Sequence, residues 1–417
     1  MRDKIYNFFK YSGEFALYGL LFFLPISNAL IETFFGIALF SFIVRKTIKP
    51  DFSSFKFWPN FILLFFFIFI GLSLLNSGEY FQKSLWAWLA KWGQYLGICF
   101  IVQDTVCDKK VLKRALMVFL FSATLVVLSG ATQYFFGVEF LRGKKLMCIP
   151  GRFCAVTSSF SHYNSLGAYL SVVIPVFLLL FISKLKRSER LAYPVFFILF
   201  LSLFIDMLVF SRGSWLGLIL SILFLGMLLK EKFERWIVFL ILLIFFLFFL
   251  TVSYSHILSF ITKNVFISPF ERSVSIFQPG GDADRFRYWQ IALRMIWENP
   301  IFGKGVGTFM DYFSKYLPGV NVSYAHNCYL QIFAETGVFS IFSFLLYVFS
   351  MIYVSVKSLM KQKDYLLLGL FGGCFGYLIH AFFDTLLYSL PLAFLFWMWM
   401  GLLTVSIRLN NTCREAK

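Results

Sequence analysis

Twelve apolar runs divide this 417-residue sequence, at about residues 14–31, 33–46, 57–76, 84–103, 114–136, 164–183, 191–210, 213–230, 235–254, 328–356, 364–383 and 387–408. All but the short second run can cross ~30 Å of hydrocarbon as a helix rising ~1.5 Å per residue. Without water, a spanning segment must pair its own backbone groups, which leaves only helices and closed barrels. The runs are continuous rather than alternating, so barrel strands are excluded. The expected fold class is therefore an all-α polytopic membrane protein of about 12 transmembrane helices. Composition agrees: 59% hydrophobic residues, 59 of the 417 being phenylalanine, would expose more apolar surface than water tolerates.

Orientation follows from lysine and arginine placement. With the N-terminus in the cytoplasm, every inner segment carries three or four, from Arg2, Lys4 and Lys10 at the start to Arg408, Arg414 and Lys417 at the end. The short outer turns near Glu32 and Asp384 carry none. Both termini are expected inside. No small-x-small site follows the first run, so it reads as a retained span rather than a cleaved signal. The expected divisions are 1–136 (spans one to five) and 137–254 (a basic outer loop and spans six to nine). Residues 255–327 form a large outer loop with amphipathic helices, and 328–417 hold spans ten to twelve with a cytoplasmic tail. A net charge of +17 spread between spans is a topology signal and not a nucleic-acid patch.

The exceptions to that rule are informative. Arg142, Lys144, Lys145 and Arg152 precede span six, Arg212 separates spans seven and eight, and Lys263, Arg272, Arg285, Arg287, Arg294, Lys304 and Lys315 lie in the large loop. Long loops translocate regardless of charge, and an anionic ligand at the outer leaflet accounts for the rest. Cys148 and Cys154 share the first of these loops, either as a disulfide or as two unpaired small residues. No cysteine or histidine spacing suits a metal.

Arg212, in Ser211-Arg212-Gly213-Ser214, sits between two apolar runs where a guanidinium is costly without an anionic partner, and its fork suits phosphate oxygens. Arg285 and Arg287 stand at the entrance of a helix beginning near Trp289, with Ile291, Ala292, Met295 and Ile296 as its apolar, membrane-surface face. Asp282 and Asp284 read as caps or arginine partners there rather than metal ligands. Gly303, Gly305 and Gly307 form a turn. His326-Asn327 opens span ten, where a histidine outside any metal spacing suits proton transfer. Glu335, deeper in that span, requires a partner. His162 and Asn164 begin span six on the same side, and His380 and Asp384 end span eleven there. Each of these orients a sugar or caps a helix.

The run His326-Asn327 with Leu330, Glu335 and Gly337, preceded by Arg285 with Trp289 and Pro300 with Gly303 and Gly305, resembles the shared core of the O-antigen ligase and polymerase superfamily. Ser211-Arg212-Gly213 and Ser161-His162-Tyr163-Asn164 resemble its upstream segments, with Tyr163 where proline is common. The resemblance covers roughly residues 155–405. It implies an inverting, metal-independent glycosyltransferase without cofactor, on the periplasmic face of a bacterial inner membrane. The implied donor is an undecaprenyl-diphosphate-linked glycan, and the implied acceptor is a hydroxyl of the lipid A–core oligosaccharide. His326 would be the base, with Arg212 and Arg285 holding the diphosphate. Arg287, Arg152, His162, Asn164, Trp289, Asn327 and Glu335 would line the substrate site. A polymerase, a protein O-oligosaccharyltransferase and, more distantly, a lipid-linked sugar transporter are the alternatives.

Overall fold

The computed structural model describes residues 1–51, 53–149, 153–261, 283–318 and 324–415. Arg152, Lys263, Arg272 and Asp282 lie outside them. Helices α1 (Arg2–Phe23) and α2 (Asn28–Ile48) form a hairpin, and α3 (Pro59–Leu72) follows. A helical path then runs through α4 (Phe81–Trp86), a π turn at Ala87–Trp92 and α5 (Gly93–Thr105) into α6 (Lys109–Phe136). The strands β1 (Met147–Ile149) and β2 (Phe153–Ala155) pair antiparallel before α7 (Tyr163–Lys186), α8 (Ala192–Leu208), α9 (Arg212–Leu228) and α10 (Lys232–Ile261). Two amphipathic helices, α11 (Ala283–Glu298) and α12 (Phe309–Tyr316), precede the closing α13 (Cys328–Lys361), α14 (Tyr365–His380) and α15 (Leu390–Glu415).

Seven of the described helices are long and apolar enough to cross a membrane, and α8, α9 and α14 are shorter apolar helices. The first break differs from the sequence expectation. It falls not near Glu32 but at Leu24–Ser27, where Pro25 cannot continue a helix and Ser27 caps α2 through Leu30 N–H. Hydropathy alone does not register such a turn.

Polar contacts gather the helix ends into two sets. At one end Arg45 and Lys46 pair with Asp104, while Lys186 and Lys363 converge with Tyr365 on buried Glu234. Asn410 bonds Asp364 at that same end, at 2.8 Å. At the other end Lys83 meets Asp311, Lys315 meets Glu79, Ser211 meets His380 and His326 meets Asp384.

The centre is α7, buried along most of its length, with α14 and α9 against it. Lipid tails are as apolar as leucine, so close approach at small residues, rather than exclusion from water, holds such helices together. A Cβ on Gly217 of α9 would come within 2.6 Å of the Gly376 carbonyl of α14, and one on Gly373 within 2.8 Å of the Val172 carbonyl of α7.

Helix α13 is not the single span expected over 328–356. It breaks at Gly337, which has φ 80° and ψ −178°. The turn from Pro300 to Gly305 fills the break: Pro300 accepts from Val338 N–H at 2.9 Å, while the N–H groups of Lys304 and Gly305 donate to Ala334 and Glu335. A Cβ at Gly337 would lie 2.0 Å from the Ile301 carbonyl. Gly337→Ala therefore combines a left-handed φ, costing on the order of 1–3 kcal/mol, with a backbone clash. It is expected to lower the melting temperature in detergent by several degrees or abolish the monodisperse species. Gly36→Ala, in open space, should leave both unchanged.

Candidate functional site

Three turns carry the site, and each holds a non-glycine residue in the left-handed region. Ser158 (φ 47°) precedes His162, Phe210 (φ 55°) precedes Arg212, and the third is His326 itself (φ 48°). Such conformations persist only where surrounding contacts over-determine them, and they cluster at functional sites. At His326 the contacts are plain. Asn327 caps α13 through Leu330 N–H at 3.0 Å, and Cys328 N–H donates to the Ala381 carbonyl at 2.9 Å. The chain is thereby pinned to the loop after α14.

That loop supplies Asp384, whose Oδ1 lies 3.1 Å from His326 Nδ1 and also accepts Thr385 N–H at 2.8 Å. Burial alone would raise the Asp384 carboxyl. The hydrogen bond and charge of His326, with the charges of His380 and Arg285, outweigh it and hold the carboxyl well below the usual range. Asp384 is thus a carboxylate, and it fixes the imidazole proton on Nδ1. When the ring is neutral its lone pair is then on Nε2, an arrangement suited to an oriented general base. Tyr288 of α11 stacks on the ring at 5.9 Å between centroids.

Arg212 occupies the first turn of α9, whose cap is Ser211. Ser214 Oγ donates to buried Asp206 at 2.6 Å, and Trp215 Nε1 donates to the Asp206 carbonyl at 2.9 Å. Arg212 and Arg285 face a cavity of about 490 Å³ between α9, α10 and α11. Its other walls are apolar, chiefly Trp215, Leu216, Ile219, Phe249, Trp289 and Phe383. The Trp289 Nε1 donor is buried and has no partner among the described residues. Beneath it Asn164, Ser211 and His380 join both arginines around a small polar pocket. An aliphatic chain with an anionic head matches this lining: apolar walls take the chain and two guanidinium forks take the head.

Other candidates from the sequence lie elsewhere. Arg287 is exposed on α11 and does not line the cavity. Glu335 is buried before the α13 break, where it accepts Gly307 N–H at 2.9 Å, Phe309 N–H at 3.2 Å and the Tyr388 hydroxyl at 3.0 Å. It clamps the glycine turn and does not face the cavity. The apolar row Ile291, Ala292 and Met295 packs inward against Phe309 and Phe313, not onto a membrane surface; the outward row of α11 is Phe286, Leu293 and Trp297. Of the outer basic residues, Arg142 and Lys144 hold the Ser159 carbonyl at 3.1 and 2.9 Å, and Lys304 pairs with Glu298. Cys148 and Cys154 form a disulfide across the hairpin. Among the described residues no three His, Cys, Asp or Glu side chains converge as metal ligands.

A protein-family model described as O-Antigen ligase matches residues 197–345, a stretch that contains Arg212, Arg285 and His326. The chain is also 24% identical over 411 residues to the ComP-specific O-oligosaccharyltransferase of Acinetobacter baylyi, across 95% of this chain and 70% of that protein. The matched stretch is thus similar to the O-antigen ligase family, and the chain as a whole to an O-oligosaccharyltransferase. His162 and Asp384 lie outside the matched stretch, and the fold brings Asp384 against His326 and His162 close to both.

Proposed function

We propose that this chain is an O-antigen ligase. It moves a glycan from undecaprenyl diphosphate to a hydroxyl of lipid A–core oligosaccharide, by metal-independent displacement with inversion, on the periplasmic face of a bacterial inner membrane. The observation that carries this reading is the His326–Asp384 pair beside an apolar cavity fronted by Arg212 and Arg285. His326 Nε2 takes the proton of the acceptor hydroxyl as its oxygen attacks the anomeric carbon. The bond from that carbon to the phosphate oxygen breaks, and its electron pair leaves on the diphosphate held by the two arginines. Asp384 is a positioning residue that keeps the base in its tautomer. Likeness over 95% of the chain to an O-oligosaccharyltransferase favours a second reading, in which the acceptor hydroxyl belongs to a protein.

The topology proposed with this function has twelve spans and both termini in the cytoplasm. Exposed Cys107 then faces the cytoplasm, and the Cys148–Cys154 disulfide faces the periplasm. A membrane-impermeant maleimide on intact spheroplasts should spare Cys107 and should reach Cys148 and Cys154 only after reduction. Labelling of Cys107 without lysis would reverse the orientation.

The function is tested by transfer in detergent with EDTA, from undecaprenyl-diphosphate glycan to rough lipopolysaccharide or to candidate proteins. Wild type should yield capped lipopolysaccharide. His326→Ala should lose roughly a hundredfold to ten-thousandfold in rate, and Asp384→Asn, with the tautomer freed, roughly a hundredfold or more. Glycosylated protein without capping would favour the second reading, longer lipid-linked chains would make the chain a polymerase, and full activity of His326→Ala would remove the base from the mechanism.

A further inference from the structure

A second imidazole reaches the same site with the opposite polarity. His162 precedes α7, and its Nδ1 accepts the N–H of Asn164 at 3.2 Å. A backbone nitrogen can only donate, so Nδ1 carries the lone pair and the neutral ring bears its proton on Nε2. Burial lowers the His162 pKa; Asp384 opposes this, while His326 and Arg285 add to it, and the ring is held neutral. His326 is arranged the other way round, because the carboxylate opposite its Nδ1 can only accept. The site therefore contains one imidazole whose outward nitrogen is a base and another whose outward nitrogen is a hydrogen-bond donor.

The ring lies close to the proposed reacting groups. Arg285, His326 and Asp384 all act electrostatically on the His162 ring. Asn164, two residues on, borders the polar pocket together with Arg212 and Arg285. Capping alone does not account for a histidine here, since Asn, Asp and Ser cap better. The ring is half-buried, and its second nitrogen is a donor that an accepting oxygen in the pocket would satisfy.

We propose that His162 Nε2–H is a third donor to the glycan carrier's diphosphate, hydrogen-bonding the phosphate oxygen that departs from the anomeric carbon. This rests on the ligase reading above. No proton is transferred by His162: the acceptor's proton goes to His326, the electron pair of the broken bond goes to the phosphate oxygen, and that oxygen's new charge is met by two guanidiniums and one neutral N–H.

The two functions of the ring separate by substitution. His162→Asn keeps an acceptor at the Nδ1 position, and hence the cap, but has no donor at the Nε2 position. His162→Gln keeps a donor near Nε2 and loses the cap. In the transfer assay, His162→Asn should melt like wild type yet lose roughly tenfold to a hundredfold in kcat, with KM for the acceptor unchanged. His162→Gln should exceed His162→Asn in kcat whatever its melting temperature. Wild-type turnover by His162→Asn, or His162→Gln no faster than His162→Asn, overturns the assignment and leaves His162 a cap. Failure of wild type to consume the lipid-diphosphate donor contradicts the ligase reading itself, a result distinct from the ranking of the two variants.

Discussion

The close approach of α9 to α14 is what allows a site to exist here. Gly217 rests against the Gly376 carbonyl, and Gly213 against the His380 ring, at distances that leave no room for even a methyl group. Contact at that range brings the first turn of α9, with Arg212, to the end of α14. The chain then runs from His380 to Asp384, and Asp384 holds His326. Arg212 and His326, from distant parts of the sequence, thus come to one region because three glycines let two helices touch. Widening that contact by an ångström would misplace the reacting groups, and such errors cost about a hundredfold in rate.

Charge in the site is divided by environment. The two arginines front apolar walls, where an anion's attraction to them is screened little by water. Asp384 sits among His326, His380 and Arg285, which keep it ionised. Its Oδ1 accepts from both His326 and Thr385, so in the proposed reaction it orients the base. Glu335, a second buried acid, is engaged by the glycine turn, and buried Asp206 accepts from Ser214 and supports the first turn of α9. These acids thereby organise the structure around the proposed reaction.

Much of this was legible in the sequence because membrane physics leaves few choices. Apolar runs outlined most of the helices, and an arginine stranded between two runs or a histidine at a helix mouth is costly enough to draw notice. What stayed hidden depends on partners distant in sequence. Nothing near Asp384 reveals that it would face His326, 58 residues away. The Gly337 break follows from the backbone of Ile301 approaching it, which no local pattern encodes. The apolar row of α11 was visible, but its periodicity could not distinguish a protein core from a bilayer surface. Arg142 and Lys144 resembled ligand-binding charge and instead tie down carbonyls.

In the proposed mechanism Asp384 serves the base, no glycosyl intermediate forms on a carboxylate, and the reaction is a single displacement. The most direct measurement is the anomeric configuration of the transferred glycan, read by proton NMR on the product and compared with the donor. Inversion is the predicted result. Retention would contradict the single displacement and assign Asp384, or another group, the role of nucleophile.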